Sequence, residues 1–385
     1  VAISSKRSSL TSYPTQIHQG ILWFWPDRDT AAEALTTPPP IFPEFDDGIC
    51  APVNIVPMDY EVMLENTFDP SHAMWLHHGS GFDSKNALPM TNFSVATTIK
   101  DSGFTLVHSG YEKKNKDMEA FRLFQAPYTN FVKYIMKPNN MIADTVLYFV
   151  PVSPGFTRVM GQFNFQSNNT SKNKYSIFQF FKSIIMSTPI WMKHVQGIKI
   201  VEQDIFMLNS QKLRLQALES SGKTWNREYY LPSRADVGVV AFRKWFDKFC
   251  NNDVPWLHLE SESEGLTLSS DNDEKETKIR KQLAPEADQD FLLSRYHRHT
   301  KDCIHCSRAL SRFHKISDIL SVGAGVSAGV SLVLGVMQIL IAIGDVTVTT
   351  SKWALLKHTL VSGGCTGVLA IARGFFIRMK QLLVT

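Results

Sequence analysis

The stretch from Ile319 to Gly344 constrains this chain most, because it carries no charged residue between Asp318 and Asp345 and is rich in Gly, Ala, Val and Leu. A helix crosses a bilayer with about 20 apolar residues, and this run is long enough. Gly323, Gly325, Ala328 and Gly329 are small residues of the kind that lets a second helix approach closely. The second candidate is Trp353 to Ile377, interrupted by Lys357, His358 and Arg373. The expectation over 317–385 is a C-terminal membrane hairpin, with a soluble amphipathic helix as the alternative for its second half.

Ahead of the hairpin, Glu260 to about Asp290 is polar and charged, a composition that cannot bury a core, so 256–292 reads as a solvated linker. The rest is apolar enough to fold: 44% of all 385 residues are hydrophobic. The net charge of +4 is spread out, with no Lys/Arg stripe interleaved with aromatics, which excludes nucleic acid as a partner. Cys50, Cys250, Cys303, Cys306 and Cys365 are too few and too scattered for a secreted disulfide scaffold and point to a reducing compartment. The chain opens at Val1 without an initiator Met or signal core, so it reads as a fragment or a processed form.

Tyr13 to Pro26, aromatic and β-branched between turn residues, reads as a strand, and Thr36 to Pro43, with its three consecutive prolines, as a linker. Phe93–Ile99, Phe104–His108, Phe121–Phe124, Thr145–Val150 and Phe156–Phe163 are short β-rich runs separated by polar turns, the pattern of an antiparallel sheet. Ser176 to Val195 is apolar, and Pro189 should interrupt any helix there. Core packing is the favoured reading of that segment, with a pocket lid or a membrane-dipping element as alternatives.

Between the linker and the sheet lies Glu65-Asn66-Thr67-Phe68-Asp69-Pro70-Ser71-His72-Ala73-Met74-Trp75-Leu76-His77-His78. Neutral imidazole is the commonest metal ligand, and two imidazoles with one carboxylate leave open positions on a metal. Residues five apart on an ideal helix are rotated by about 140°. His72 and His77 therefore share a metal only across a π-bulge or a broken helix, and His78 competes for the same role. A candidate inward carboxylate lies in Ile198 to Gln211, where Asp204, Met207, Leu208 and Gln211 fall on one helical face. An inward carboxylate is costly unless paired or bound to metal, and Glu202 is the alternative. Cys303-x2-Cys306, flanked by Arg295, Arg298 and Lys301, suits a reactive dithiol. A zinc site would need His297, His299 or His305 to complete it.

The spacing N-x2-D-x2-H-x4-H, with the surrounding Glu-Asn, Asp-Pro-Ser-His and His-His-Gly, resembles the mononuclear-iron motif of Rieske non-haem iron oxygenases, in the pheophorbide a oxygenase-like chloroplast branch. The resemblance implies His72 and His77 as iron ligands and Asp204, from the pair Gln203-Asp204, as the third. It implies Asn66 near the iron, and Asp69 as the acidic bridge to the iron-sulfur cluster of a neighbouring subunit in a homotrimer. A 2Fe-2S cluster is expected in the full-length protein. Here Cys303-Ile304-His305 matches C-x-H but no C-x2-H follows, so the cluster ligands are missing.

The implied fold is α+β: a helix-grip (START-like) catalytic domain over 51–255, a curved antiparallel sheet wrapped on a long helix with the substrate pocket between them. A remnant of the Rieske domain precedes it over 1–35, with a linker over 36–50. A redox segment over 293–316 and the hairpin follow. The implied function is a monooxygenase of the chloroplast membrane, inner envelope or thylakoid, oxidising a chlorophyll-related tetrapyrrole. Pheophorbide a comes first, then chlorophyllide or protochlorophyllide. A ferredoxin-type donor supplies electrons, and thioredoxin is a candidate partner of the dithiol. The competing expectation is a membrane redox sensor or translocon accessory that acts through Cys303 and Cys306.

Overall fold

The computed structural model describes residues 12–45, 52–137, 141–167, 188–221, 224–254, 292–343 and 352–385. It separates into two compact units: Val1–Thr188 with Gln196–Leu292, and Pro189–Val195 with Leu293–Thr385. The fold is α+β.

In the first unit, β1 (Thr15–His18) and β2 (Ile21–Phe24) form a hairpin. The sequence suggests one continuous strand there. Instead Gln19 and Gly20 both take positive φ, at 52° and 72°, which is the conformation a two-residue hairpin turn demands.

The main sheet, among the described residues, has seven strands: β3 (Asn54–Val56), β4 (Ser94–Val95), β5 (Gly103–Ser109), β6 (Glu119–Gln125), β7 (Thr129–Met136), β8 (Met141–Ser153) and β9 (Phe156–Ser167). Their order is β3-β9-β8-β7-β6-β5-β4, antiparallel throughout. The run Phe93–Ile99 contributes only the two residues of β4.

Strand periodicity sends alternate side chains to opposite faces. In β8, Val146 and Tyr148 pack with Phe131, Ile21, Phe42 and Phe45, so the hairpin and its linker cover one face. Phe149, with Phe104, Leu106, Phe124 and Val159, faces the helices. These are α1 (Tyr60–Asn66), the single-turn α2 (Ala73–Leu76), α3 (Ile190–Ser220), the short α4 (Trp225–Glu228) and α5 (Val237–Cys250).

Pro189 does not interrupt α3. It stands immediately before the first helical residue, where its missing N–H leaves no bond unmade. The remainder of the apolar segment, 176–187, lies outside the described residues, as does most of the charged linker. On α3 the buried stripe is Ile198, Ile205, Leu208, Leu215 and Leu218. Met207, expected to share the face of Asp204, is exposed instead, because the buried stripe runs through residue 208 and not 207.

Helix α5 is an addition to the elements expected from sequence, although Val239, Phe242, Trp245 and Phe246 recur at helical spacing and are buried. Ser233 and Asp236 form a reciprocal cap just before it, and Asn251 ends it in the left-handed conformation.

The helices are fastened by a buried ion pair. Arg243 of α5 donates to Glu65 of α1, and Gln211 of α3 bonds both Glu65 Oε1 (3.1 Å) and the Tyr229 hydroxyl (2.7 Å). Burial pushes the Glu65 carboxyl up, against the opposing pull of Arg243.

In the second unit α6 (Ile304–Ile343) and α7 (Lys352–Val384) pack as an antiparallel pair, both long and apolar enough to cross a membrane. The seam is less a glycine stripe than a polar ladder. Ser327 Oγ donates to the Ser362 carbonyl (2.7 Å), Ser331 and Ser362 hydroxyls meet at 2.6 Å, and Gln338 donates to Thr359 Oγ1 (3.0 Å). Of the glycines, a Cβ added at Gly323 would meet Leu369 at 3.5 Å, while Gly325 and Gly329 face open space.

Removing one member of a buried pair leaves the other charge uncompensated, at a cost of about 3–5 kcal/mol, whereas replacing both by apolar groups is often neutral. Arg243→Leu should therefore lose most of that in urea unfolding followed by tryptophan fluorescence, and Glu65→Leu/Arg243→Leu should recover much of it.

Candidate metal centre

The histidine motif is a broken helix. After α1, residues Pro70–His72 form a 3-10 turn capped by the Asp69 carboxylate, which accepts from the Ser71 N–H (3.0 Å) and hydroxyl (2.5 Å). This turn runs directly into α2, and His77 sits at its end with φ −93° and ψ 21°. His72 is the N-cap of α2 and His77 its C-cap, so both rings leave from helix ends and not from the body of a straight helix. The rings of His72 and His77 lie 5.2 Å apart.

Asp204 of α3 faces both. His72 Nε2 and His77 Nε2 lie 3.7 and 3.5 Å from its Oδ1, and the three groups offer ligand atoms within 4.8 Å of one another. His77 and Asp204 are buried, with His72 at the rim. These separations exceed a hydrogen bond. Asp204 Oδ1 is itself buried with no hydrogen-bond partner. Metal–ligand bonds of about 2.1 Å place two ligand atoms no more than about 4.2 Å apart, and the separations of Oδ1 from the two nitrogens lie inside that limit.

Both rings are oriented for this. His72 Nδ1 donates to the Asp69 carbonyl, and His77 Nδ1 donates to Gln203 Oε1 (2.9 Å), whose amide donates in turn to Ser80 Oγ (3.0 Å). A ring that donates from Nδ1 presents a bare lone pair at Nε2. Burial lowers the His77 pKa, with the Gln203 bond opposing, which favours the neutral ring. Burial also pushes Asp204 up to about 6, against the nearby His72 and a hydrogen bond from Asn66.

A family model described as pheophorbide a oxygenase matches residues 124–222. Over this quarter of its length the chain is similar to the pheophorbide a oxygenase family. Pheophorbide a oxygenase of Oryza sativa subsp. japonica is 27% identical, covering 85% of this chain and 58% of its own length. Flavonoid 8-hydroxylase 2 of Ocimum basilicum is 27% identical, covering 82% and 57%. Protochlorophyllide-dependent translocon component 52 of Arabidopsis thaliana is 23% identical, covering 82% and 58%. All three are named as chloroplastic, and the chain spans somewhat over half the length of each.

Asn66 touches Asp204. Asp69 meets the triad only through its carbonyl, its carboxylate being taken up by the turn. His78 points away, toward Asp83 (3.6 Å), with a half-exposed ring, and is no competitor for the triad. Glu202 is not among the three converging groups.

Cys303 and Cys306 are not disulfide-bonded. They meet His299 and, unexpectedly, His194, while His297 and His305 stay outside the cluster. Hydrogen bonding from Cys306, then from His194 and His299, holds the Cys303 thiol well below its ordinary range.

A second set of residues, not singled out by the sequence, holds the motif in place. Arg122 lies on the core face of β6, donating to His108 Nε2 (3.1 Å), the Tyr134 hydroxyl (2.7 Å) and the Thr67 carbonyl (3.0 Å). Gly238 of α5 completes the clamp: a Cβ there would stand 2.2 Å from the Phe68 carbonyl oxygen. The signal is a lone arginine in an alternating apolar strand, which reads equally well as a solvent-facing residue.

Burial and the Arg122 charge drop the His108 pKa to about 3, against an ordinary 6.5. Between those values the unfolded chain binds a proton that the folded one does not. Stability from this residue is therefore intact above pH 6.5 and falls as pH drops toward 3, with a slope of at most about 1.4 kcal/mol per pH unit. His108→Gln, which keeps an acceptor for Arg122, should flatten that part of the pH–stability curve in chemical unfolding at pH 4 to 7.

Proposed function

We propose that this chain carries the mononuclear iron site of an oxygenase acting on a chlorophyll-related tetrapyrrole, with pheophorbide a the first candidate and chlorophyllide or protochlorophyllide next. The observation that carries the proposal is the buried, unpartnered Asp204 Oδ1 set between two imidazole nitrogens whose other ring atoms are already engaged. The family match and the pigment named for the Oryza relative support the substrate class. The Ocimum relative, named for a flavonoid, widens it to flat conjugated rings.

In this reading His72, His77 and Asp204 hold Fe(II), which supplies the capacity to react with O2 when bound. The protein's own part is positional. The Asp69 carbonyl and Gln203 fix the two rings, Asn66 steadies the carboxylate, and burial of His77 and Asp204 keeps bulk water away from the ligand atoms. Asp69 lies one hydrogen bond from His72, which suits the bridging role proposed for it toward an electron source on a neighbouring subunit. The residues present do not fit a Rieske cluster, since no C-x2-H occurs in the sequence, and no step is routed through one. A ferredoxin-type donor and a trimer belong to the same proposal. So does anchoring in a chloroplast membrane, supported by the two apolar helices and the chloroplastic relatives.

A second reading, a redox-active translocon accessory, is favoured by the converging Cys303 and Cys306 and by the translocon relative.

Iron analysis separates the two. After anaerobic loading, the full chain should hold about one Fe(II). His72→Ala, His77→Ala and Asp204→Ala should each lower that at least tenfold in affinity, with pheophorbide a binding, followed by fluorescence quenching, retained. A chain that binds neither Fe(II) nor any of the three pigments would sink the oxygenase reading and leave the accessory role.

A further inference from the structure

A second set of ligands lies in the unit formed by Pro189–Val195 and Leu293–Thr385, and the oxygenase chemistry does not use it. His194, His299, Cys303 and Cys306 offer ligand atoms within 4.8 Å of one another, with His299 and Cys306 buried and His194 and Cys303 partly so. His194 Nδ1 lies 3.1 Å from His299 Nε2, 3.4 Å from Cys303 Sγ and 3.5 Å from Cys306 Sγ, and His299 Nε2 lies 3.2 Å from Cys306 Sγ. One ring nitrogen carries at most one proton and cannot bond three partners in three directions. The four atoms surround a common centre; they do not pair off.

The dimensions identify what fits there. With Zn–N of about 2.05 Å and Zn–S of about 2.3 Å, a tetrahedral ion sets N···N at about 3.3 Å and N···S at about 3.6 Å. The observed separations fall within a few tenths of an ångström of these edges. A two-iron cluster with the same ligand types requires the sulfurs on one iron and the nitrogens on the other, which is incompatible with His194 Nδ1 standing against both sulfurs. Four protein ligands close the coordination sphere, and a closed set of two thiolates and two imidazoles is the donor set of a structural zinc site.

We propose that this chain binds a structural Zn2+ through His194, His299, Cys303 and Cys306, a site separate from the His72/His77/Asp204 centre and independent of the oxygenase reading. The surrounding structure is built to hold it. His299 lies in a π-helical turn, Tyr296–Thr300, fixed at the end of α7 by Thr300 Oγ1 donating to the Leu383 carbonyl (2.6 Å) and Arg295 donating to the Leu382 carbonyl (2.7 Å). Cys306 lies in the first turn of α6, where the helix N-terminus favours a thiolate. Val195, Ala309, Leu383, Trp191 and Phe313 pack around the cluster as a small apolar core. The ion would staple the start of α3 to the base of the α6–α7 hairpin. Zinc-bound thiolates are also unavailable for a disulfide, so occupancy decides whether the pair acts as a dithiol.

The test is elemental analysis of the full chain purified under reducing conditions, alongside Co2+ titration of the demetallated protein. About one zinc per chain is expected, with cobalt giving thiolate charge-transfer and tetrahedral d–d bands. His194→Ala, Cys303→Ser and Cys306→Ser should lose both, and Cys303→His, which keeps a ligand, should retain zinc and so exclude simple misfolding. His72→Ala and Asp204→Ala should retain zinc while losing iron. Absence of zinc from wild-type protein supplied with it would overturn the proposal. So would zinc content unchanged in the His194 and cysteine variants, or a Cys303–Cys306 disulfide formed in the presence of zinc.

Discussion

The fold around the first site depends on keeping one carboxylate, Asp204, out of water and close to two histidines. A buried carboxylate with an unbonded oxygen is expensive unless a cation meets it, so everything that holds α3 against the motif works against a cost. Leucine and isoleucine burial along α3 supplies adhesion but little direction, because apolar contact is tolerant of small sliding movements. Direction comes from polar groups. Gln211 ties α3 to Glu65 at the end of α1, one residue before Asn66, which itself bonds Asp204. Gln203, adjacent to Asp204, reaches His77. Two bonds from one helix thus bracket the histidine segment at both ends.

The motif itself is short and irregular, with little internal support, so it borrows rigidity from the sheet and from α5. Arg122 projects from the core face of β6 and holds the Thr67 carbonyl, which no intrahelical N–H satisfies beyond the end of α1. The bareness of Gly238 lets α5 press on the Phe68 carbonyl, and Phe68 itself packs among Phe104, Phe124 and Phe242. Thr67 and Phe68 are therefore fixed from two sides just before Asp69 starts the turn that aims His72. This explains why a charged guanidinium and a neutral, strongly perturbed histidine sit in an otherwise aromatic core.

Much of this is legible from residue order. The antiparallel sheet follows from β-rich runs between polar turns, and the hairpin from a long uncharged segment. The gathering of His72, His77 and Asp204 is what the family resemblance implies, since propensity alone would not have joined them across more than a hundred residues. Three of the misses share a cause. His194 is far from Cys303 in sequence, and nothing local marks it as a ligand. Glu65–Arg243 and Arg122–Thr67 likewise pair groups whose proximity exists only once the sheet and helices have packed. Met207 is misplaced by the helical pattern because i+3 and i+4 neighbours are equally good guesses until the buried stripe is known. The turn at Gln19–Gly20 is hidden because glutamine is a rare occupant of a positive-φ turn position.

The two ligand sets differ in chemistry, and that difference has a consequence for metal choice. A neutral nitrogen pair with one carboxylate is a weak, open set that suits a metal needing free positions, and divalent ions higher in the affinity order would compete for it. Two thiolates with two imidazoles form a closed, soft set that binds zinc far more strongly than an open triad does. A chain holding both offers zinc a better destination than the triad. One ion fills the closed set, so it would take the first equivalent of zinc, and selectivity at the triad beyond that equivalent would rest on the triad's own open geometry.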